Sequence, residues 1–213
     1  MEFPTYKYET QKISEGFRFI AGCDEVGIGP LAGPVVAASV ILDPESVAGN
    51  RTKEKWWFRI RDSKTVNEKE RNELAKFIYD YATDFFLGVV PHATIDKINI
   101  HQAALLAMQE SVNGLKQKPD FLFLDGIHKI KNLNLEQEAV VKGDSKVLSI
   151  AAASIVAKVA RDKILDELHE MYPQYGFAKH KGYPTKQHRE AIIKFGASPV
   201  HRLSFTLVQP AGK

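Results

Sequence analysis

The sequence predicts a single α/β domain with a helical C-terminal extension, on three observations. Short runs rich in Val, Ile and Ala alternate with longer stretches whose apolar residues recur at a helical period. The chain of 213 residues has one domain's length, and no repeat, low-complexity tract or linker divides it. The composition, 44% hydrophobic and 26% charged, excludes a disordered or collagen-like chain.

Residues 1–16 are polar and predict an irregular lead-in. Phe17 to Cys23 alternates weakly, and Val35 to Leu42 is a continuous apolar run; both read as strands of a buried sheet. Gly27, Gly29, Pro30, Gly33 and Pro34 lie between them and predict a hairpin with an unusual backbone path. Residues 43–66 read as a loop whose Trp56 and Trp57 pack against the body. Glu68 to Tyr81 carries apolar residues at 74, 77, 78 and 81 and predicts a helix. Asp84 to Val90 is a third strand, Ile95 to Leu115 one helix, Phe121 to Leu124 a strand ending at Asp125, and Ala139 to Val141 another. Leu148 to Met171 predicts one long helix, whose Ala151, Ala152 and Ala153 let its back lie close to a sheet. Tyr172 to Thr185 reads as loop and Lys186 to Phe195 as a final helix.

Several classes are excluded or disfavoured. The longest weakly polar stretch, Gly29 to Leu42, is too short to span a bilayer and contains two prolines, so no membrane role is expected. The first twenty residues lack the apolar core of a secretory signal. A lone cysteine, Cys23, rules out an internal disulfide and a Cys-cluster zinc site, and a reducing cytoplasm is the default expectation. The net charge is +3, but from Lys142 to Arg202 eleven Lys/Arg stand against six Asp/Glu. Such a basic third faces either a polyanion or plain solvent.

Four acids stand out by position. Asp24 and Glu25 end the first strand, Asp125 ends the Phe121–Leu124 strand, and Asp144 precedes the long helix. Taken singly, each also reads as a turn former or a helix cap, Asp144 above all. Taken together, close carboxylates repel unless protonated or bridged by a cation. An oxygen-only donor set selects Mg²⁺ or Mn²⁺ over zinc, and two such ions suit in-line attack on a phosphodiester.

The surrounding strings make this specific. Ala21-Gly-Cys-Asp-Glu-Val-Gly-Ile-Gly-Pro-Leu-Ala-Gly-Pro-Val-Val36 resembles the first motif of ribonuclease HII, and Asp62-Ser63-Lys64 its second. Phe123-Leu-Asp-Gly126, Lys142-Gly-Asp-Ser-Lys146 with Ser149 to Ser154, and His180-Lys-Gly-Tyr-Pro-Thr185 with His188 follow in the family's order. The resemblance covers about residues 18 to 195. It implies a ribonuclease H-like fold with a five-stranded mixed sheet flanked by helices, a core over about 17–171 and an extension over about 172–213. It implies an endonuclease that cuts the RNA strand of RNA/DNA hybrids; a monomer is expected, since one duplex-sized groove suffices and the sequence shows no heptad seam. It also implies incision 5′ of single ribonucleotides in duplex DNA, leaving 3′-hydroxyl and 5′-phosphate ends. Carried over by position, the catalytic and metal-binding acids are Asp24, Glu25, Asp125 and Asp144. Gly27, Ile28 and Gly29 would approach the ribose and its 2′-hydroxyl through their backbone. Tyr183 would stack on the sugar at the DNA side of the junction. Lys64, Ser154 and Lys158 would meet backbone phosphates. Plainer roles stand beside these: turn glycines, a tyrosine packed under its loop, a solvated helix lysine.

One residue departs from the pattern. The family's glycine pair usually brackets an arginine, and here the middle residue is Ile28. Isoleucine offers no charge-assisted bond to a phosphate. The segment Asp24-Glu-Val-Gly-Ile-Gly leans toward ribonuclease HIII, which favours longer RNA tracts. Altered junction recognition is therefore expected, with HIII-like specificity or a non-catalytic hybrid-binding relative as alternatives.

Overall fold

The computed structural model describes residues 3–49, 55–61 and 63–208. One five-stranded mixed sheet forms its centre. The strands are β1 (Ile20–Val26), β2 (Val35–Leu42), β3 (Ala82–Val90), β4 (Phe121–Asp125) and β5 (Glu136–Val140), in the order β3-β2-β1-β4-β5. β1, β2 and β3 form an antiparallel meander, while β4 lies parallel to β1 and β5 parallel to β4. All eight residues of β2 are buried, which explains its unbroken apolar run: helices cover both its faces.

The helices are α1 (Lys7–Ser14), α2 (Pro44–Val47), α3 (Glu68–Tyr81), α4 (His92–Ile98), α5 (Ile100–Asn113), α6 (Leu148–Met171), α7 (Phe177–His180) and α8 (Lys186–Phe195). On one face α6 and α3 pack with Val36, Ala38, Val40 and Leu42 around the buried Trp56. Trp56 stacks on Phe77 and Tyr81 of α3, so the tryptophans pack inward as expected. On the other face α5 packs on Ala21, Cys23, Val35, Ala37 and Ile41. The strand period of two thus divides β1 and β2 between two cores. At Gly22 the backbone of α6 touches the sheet: a Cβ there would lie 2.2 Å from the Ser149 carbonyl carbon. The C-terminal segment has its own cluster, in which Tyr175, Phe177, Ile192 and Val208 meet Leu31, Ala32 and Leu165. No helix among the described residues is long and apolar enough to cross a membrane.

The structure departs from the sequence expectations at several points. The lead-in contains α1, secured because Glu9 is buried and accepts the backbone N–H of Ser149 at 2.8 Å, capping the first turn of α6 from outside. The first strand begins at Ile20 and carries Asp24 and Glu25 within it. The helix expected over Ile95 to Leu115 is broken at Asn99, which takes φ 67°. Its side chain then caps α5 by accepting from the N–H groups of His101 and Gln102. β5 starts at Glu136, because an edge strand tolerates the polar Glu136, Gln137 and Glu138. Residues 43–66 and 172–185 include α2, α7 and short 3₁₀ turns.

Candidate functional site

The parallel pairing of β1 with β4 places the acids together. Cys23 stands opposite Leu124 in the register, so Asp24 and Asp125 follow side by side at the same end of the sheet. Asp24 lies on the α6 side of β1, buried, and Glu25 projects to the opposite face, half-buried. Asp144 arrives on a 3₁₀ turn, Gly143–Ser145, beyond β5. It does not cap α6, whose N-cap position is Val147.

Backbone groups aim two of the carboxylates. Asp125 Oδ1 accepts the Gly143 N–H at 2.6 Å, and Asp24 Oδ1 accepts the Glu25 N–H at 2.8 Å. Burial, and then the charges of Glu25, Asp125 and Asp144, hold the Asp24 carboxyl well above its ordinary range, while Ser154 bonds its ionised form and opposes the shift. Burial and the charge of Asp125 push Glu25 up to about 7, against the opposing pull of Lys64. The four carboxylates therefore form one electrostatic group. Among the described residues no three His, Cys, Asp or Glu side chains are gathered closely enough to hold a metal ion as they stand. Their chemistry nevertheless fits a hard divalent cation: every donor is oxygen, and the shared cost is repulsion between negative charges.

A cleft of about 360 Å³ opens beside them, lined by Glu25, Ile28, Met108, Asp125, His101 and Lys129 among others. Ile28 packs its side chain against the α5 core and so belongs to the cleft wall. Ser154 is buried and its hydroxyl meets that of Ser63 at 2.9 Å. Lys158 pairs with Asp162 at 2.6 Å, and Asp162 also receives Arg71. Lys64 is exposed on the segment that Ser63 ties to α6. Asp62 lies outside the described residues.

The loop from Gly27 to Pro34 is held from behind by two arginines that the sequence did not single out. Arg202 is fully buried and donates to the carbonyls of Gly27 (2.6 Å), Ile28 (3.0 Å), Pro30 (2.7 Å), Gly33 (3.0 Å) and Pro34 (3.1 Å). Arg161 donates to Pro34, Ala32 and Lys181 carbonyls. Gly27, at φ 102°, is required for this: a Cβ would stand 2.4 Å from Arg161 Nε. Two members of the basic C-terminal third are therefore internal. The available signal was the placement of Arg161 on the buried side of α6, one turn before Leu165. Tyr183, 40% exposed, closes the loop's outer side, its ring 3.7 Å from where a Cβ on Gly29 would be.

The sequence profile of the family "Ribonuclease HII" matches residues 21–208. Ribonuclease HII of Acetivibrio thermocellus is 49% identical, over 93% of this chain and 74% of its own. A crystal structure of ribonuclease H2 from Pyrococcus horikoshii superposes with TM-score 0.74 at 24% identity, covering 90% of this chain and 95% of its own. Bst-RNase HIII in complex with Mn²⁺ gives TM-score 0.66 at 19% identity, covering 89% and 68%. At such identities these two structures bear on the fold alone, and the fold agrees.

Proposed function

The chain belongs to the ribonuclease HII family, and on that premise we propose that it is a metal-dependent endonuclease that cuts the RNA strand of RNA/DNA hybrids and incises duplex DNA 5′ of a single ribonucleotide. The observation that carries this is the convergence of Asp24, Glu25, Asp125 and Asp144, from three separate chain segments, into one mutually repelling group beside an open cleft.

Asp24, Glu25, Asp125 and Asp144 would hold two Mg²⁺ or Mn²⁺ ions. Bound there, the ions supply an activated water and stabilise the leaving 3′-oxygen. The protein's own part is to prepare the carboxylates. Gly143 fixes Asp125, and Ser154 favours the charged form of Asp24. The backbone of Gly27, Ile28 and Gly29 faces the ribose, held in shape by Arg202. Tyr183 stands over Gly29, where a ring can stack on a sugar. Exposed Lys64 offers its charge to a phosphate, with Ser154 and Lys158 on the adjoining stretch of α6. Products carry 3′-hydroxyl and 5′-phosphate ends. All these groups come from one chain, so a monomer suffices, and a cytoplasmic setting suits its single buried thiol.

A second reading is favoured by Ile28, whose side chain packs on the α5 core and offers no donor to a phosphate. On that reading longer RNA tracts are preferred over a lone ribonucleotide. End-labelled duplexes with one ribonucleotide and full hybrids, incubated with Mg²⁺, Mn²⁺ or EDTA, separate the two. Metal-dependent incision 5′ of the lone ribonucleotide supports the first reading, and cleavage of the hybrid alone the second. Binding without cleavage of either refutes both. Under the second reading, Ile28→Arg raises the ratio of single-ribonucleotide to hybrid cleavage.

A further inference from the structure

Behind Tyr183 runs a chain of hydrogen bonds that the catalytic reading does not use. The Ser198 N–H donates to His201 Nδ1 at 2.9 Å, and the Ser198 hydroxyl approaches the same nitrogen at 2.7 Å. His201 Nδ1 is thus an acceptor, and the neutral ring carries its proton on Nε2. That proton faces His188 Nε2 at 3.0 Å. His188 then carries its own proton on Nδ1, which donates to the carbonyl of Tyr183 at 2.9 Å. Each link admits one tautomer, and the direction of every bond follows from the first.

The chain is internal and braced. His188 and His201 are both fully buried. His180 stacks on His188 with ring centroids 4.5 Å apart, and its Nε2 donates to the Tyr175 carbonyl. The Tyr183 N–H in turn donates to the His180 carbonyl at 2.9 Å, and Gly182 accepts from the Leu31 N–H at 2.8 Å. Tyr183 therefore hangs from a backbone segment whose height is set by imidazoles. The residue next to His201 is Arg202, which shapes the facing glycine loop. One short turn, Ser198 to Arg202, thus fixes both walls between which Tyr183 meets Gly29.

We propose that His188 and His201 are positioning residues that set Tyr183 against Gly29 and thereby set how well the enzyme tells ribose from deoxyribose at the cut. This rests on reading Tyr183 as the contact to the sugar at the junction. A ring misplaced by an ångström loses such discrimination while leaving phosphate and metal contacts intact. Removing the His188 donor leaves the Tyr183 carbonyl to the Thr185 N–H alone, at 2.8 Å, and loosens the tie between the segment and α8.

The test compares kcat and KM on a duplex with one ribonucleotide and on a continuous hybrid, for His188→Leu, His188→Asn, His201→Phe and Tyr183→Ala. His188→Leu and His201→Phe are expected to lower the single-ribonucleotide to hybrid ratio of kcat/KM by about fivefold to tenfold. His188→Asn, whose amide N–H can replace the Nδ1–H, restores most of that ratio. Adding His188→Leu to Tyr183→Ala changes the ratio no further. A merely structural role would lower both substrates equally, in proportion to the folded fraction seen by circular dichroism, and would overturn the inference. If Tyr183→Ala itself leaves the ratio unchanged, the reading of Tyr183 fails and takes the inference with it. If Tyr183→Ala moves the ratio and neither histidine variant does, the inference alone fails. Should His188→Leu not fold, His201→Phe carries the same comparison with a ring that fills the space and donates nothing.

Discussion

Two groups of charge meet residues 24–34, one of carboxylates and one of arginines, and they are stabilised in opposite ways. On one side, the carboxylates of Asp24, Glu25, Asp125 and Asp144 press on one another, and two of them are pushed toward their neutral forms. On the other, Arg161 and Arg202 are more deeply buried, yet their donors end on backbone carbonyls. Burial lowers Arg202 to about 9 and Arg161 to about 10, so both stay charged at neutral pH. The arginines are completed by the protein itself, whereas on the proposed reading the carboxylates are completed by metal ions. That difference distinguishes a structural charge cluster from a functional one better than burial does.

The comparison is broken most directly by removing one charge from each side. Asp125→Asn should reduce cleavage on the order of 10³-fold, as loss of a charge-stabilising group in an active site does. Its melting temperature, measured without metal, should hold or rise, because a repulsive partner has gone. Arg202→Met should do the reverse to the fold. It leaves the carbonyls of Gly27, Ile28, Pro30 and Gly33 without their donor, while Pro34 keeps Arg161, and should cost about 3 kcal/mol or more in chemical denaturation. Arg202→Lys should rescue little, since an ammonium cannot span the same planar fan of acceptors. Equal thermal losses in Asp125→Asn and Arg202→Met would remove the distinction.

A smaller effect comes from acid. Burial pushes His188 and His201 down to about 4, below the unfolded value of 6.5. Between those values the unfolded chain binds the extra protons, so stability is complete above about pH 6.5 and is lost as the pH falls toward 4. His180 against His188, and His180 and His92 near His201, add like charge in the same direction. Melting temperatures between pH 7 and 4.5 should fall less steeply in His201→Phe than in the parent. The smallest effect belongs to charges outside both groups. The exposed pair Arg59–Glu73 at 3.0 Å is screened by solvent, so Glu73→Gln should leave denaturation midpoints nearly unchanged.

Much of this was legible in the sequence where local pattern and tertiary environment agree. The bounds of β2, α3, α6 and α8 follow from an unbroken apolar run or a strong helical period. The proximity of the four acids was legible because carboxylates that close apolar runs serve no core, although Asp24 and Glu25 lie within β1 and not at its end. The rest depended on contacts without local signature. α1 is secured by Glu9 reaching 140 residues ahead to Ser149. The break at Asn99 depends on a side chain replacing a backbone partner. Arg161 and Arg202 bind carbonyls, and a carbonyl acceptor leaves no trace in residue type.

The bonds from Arg202 to the glycine loop span 168 to 175 positions of chain. Synthesis runs from the N-terminus, so Asp24, Asp125 and Asp144 all emerge, and the sheet can assemble, while residue 202 is still unmade. The loop beside the acids is then unsupported, and the Tyr183 segment lacks His201. A growing chain carries the four acids well before it can shape the loop that faces them. On the proposed reading, activity therefore waits for the turn that locks both walls.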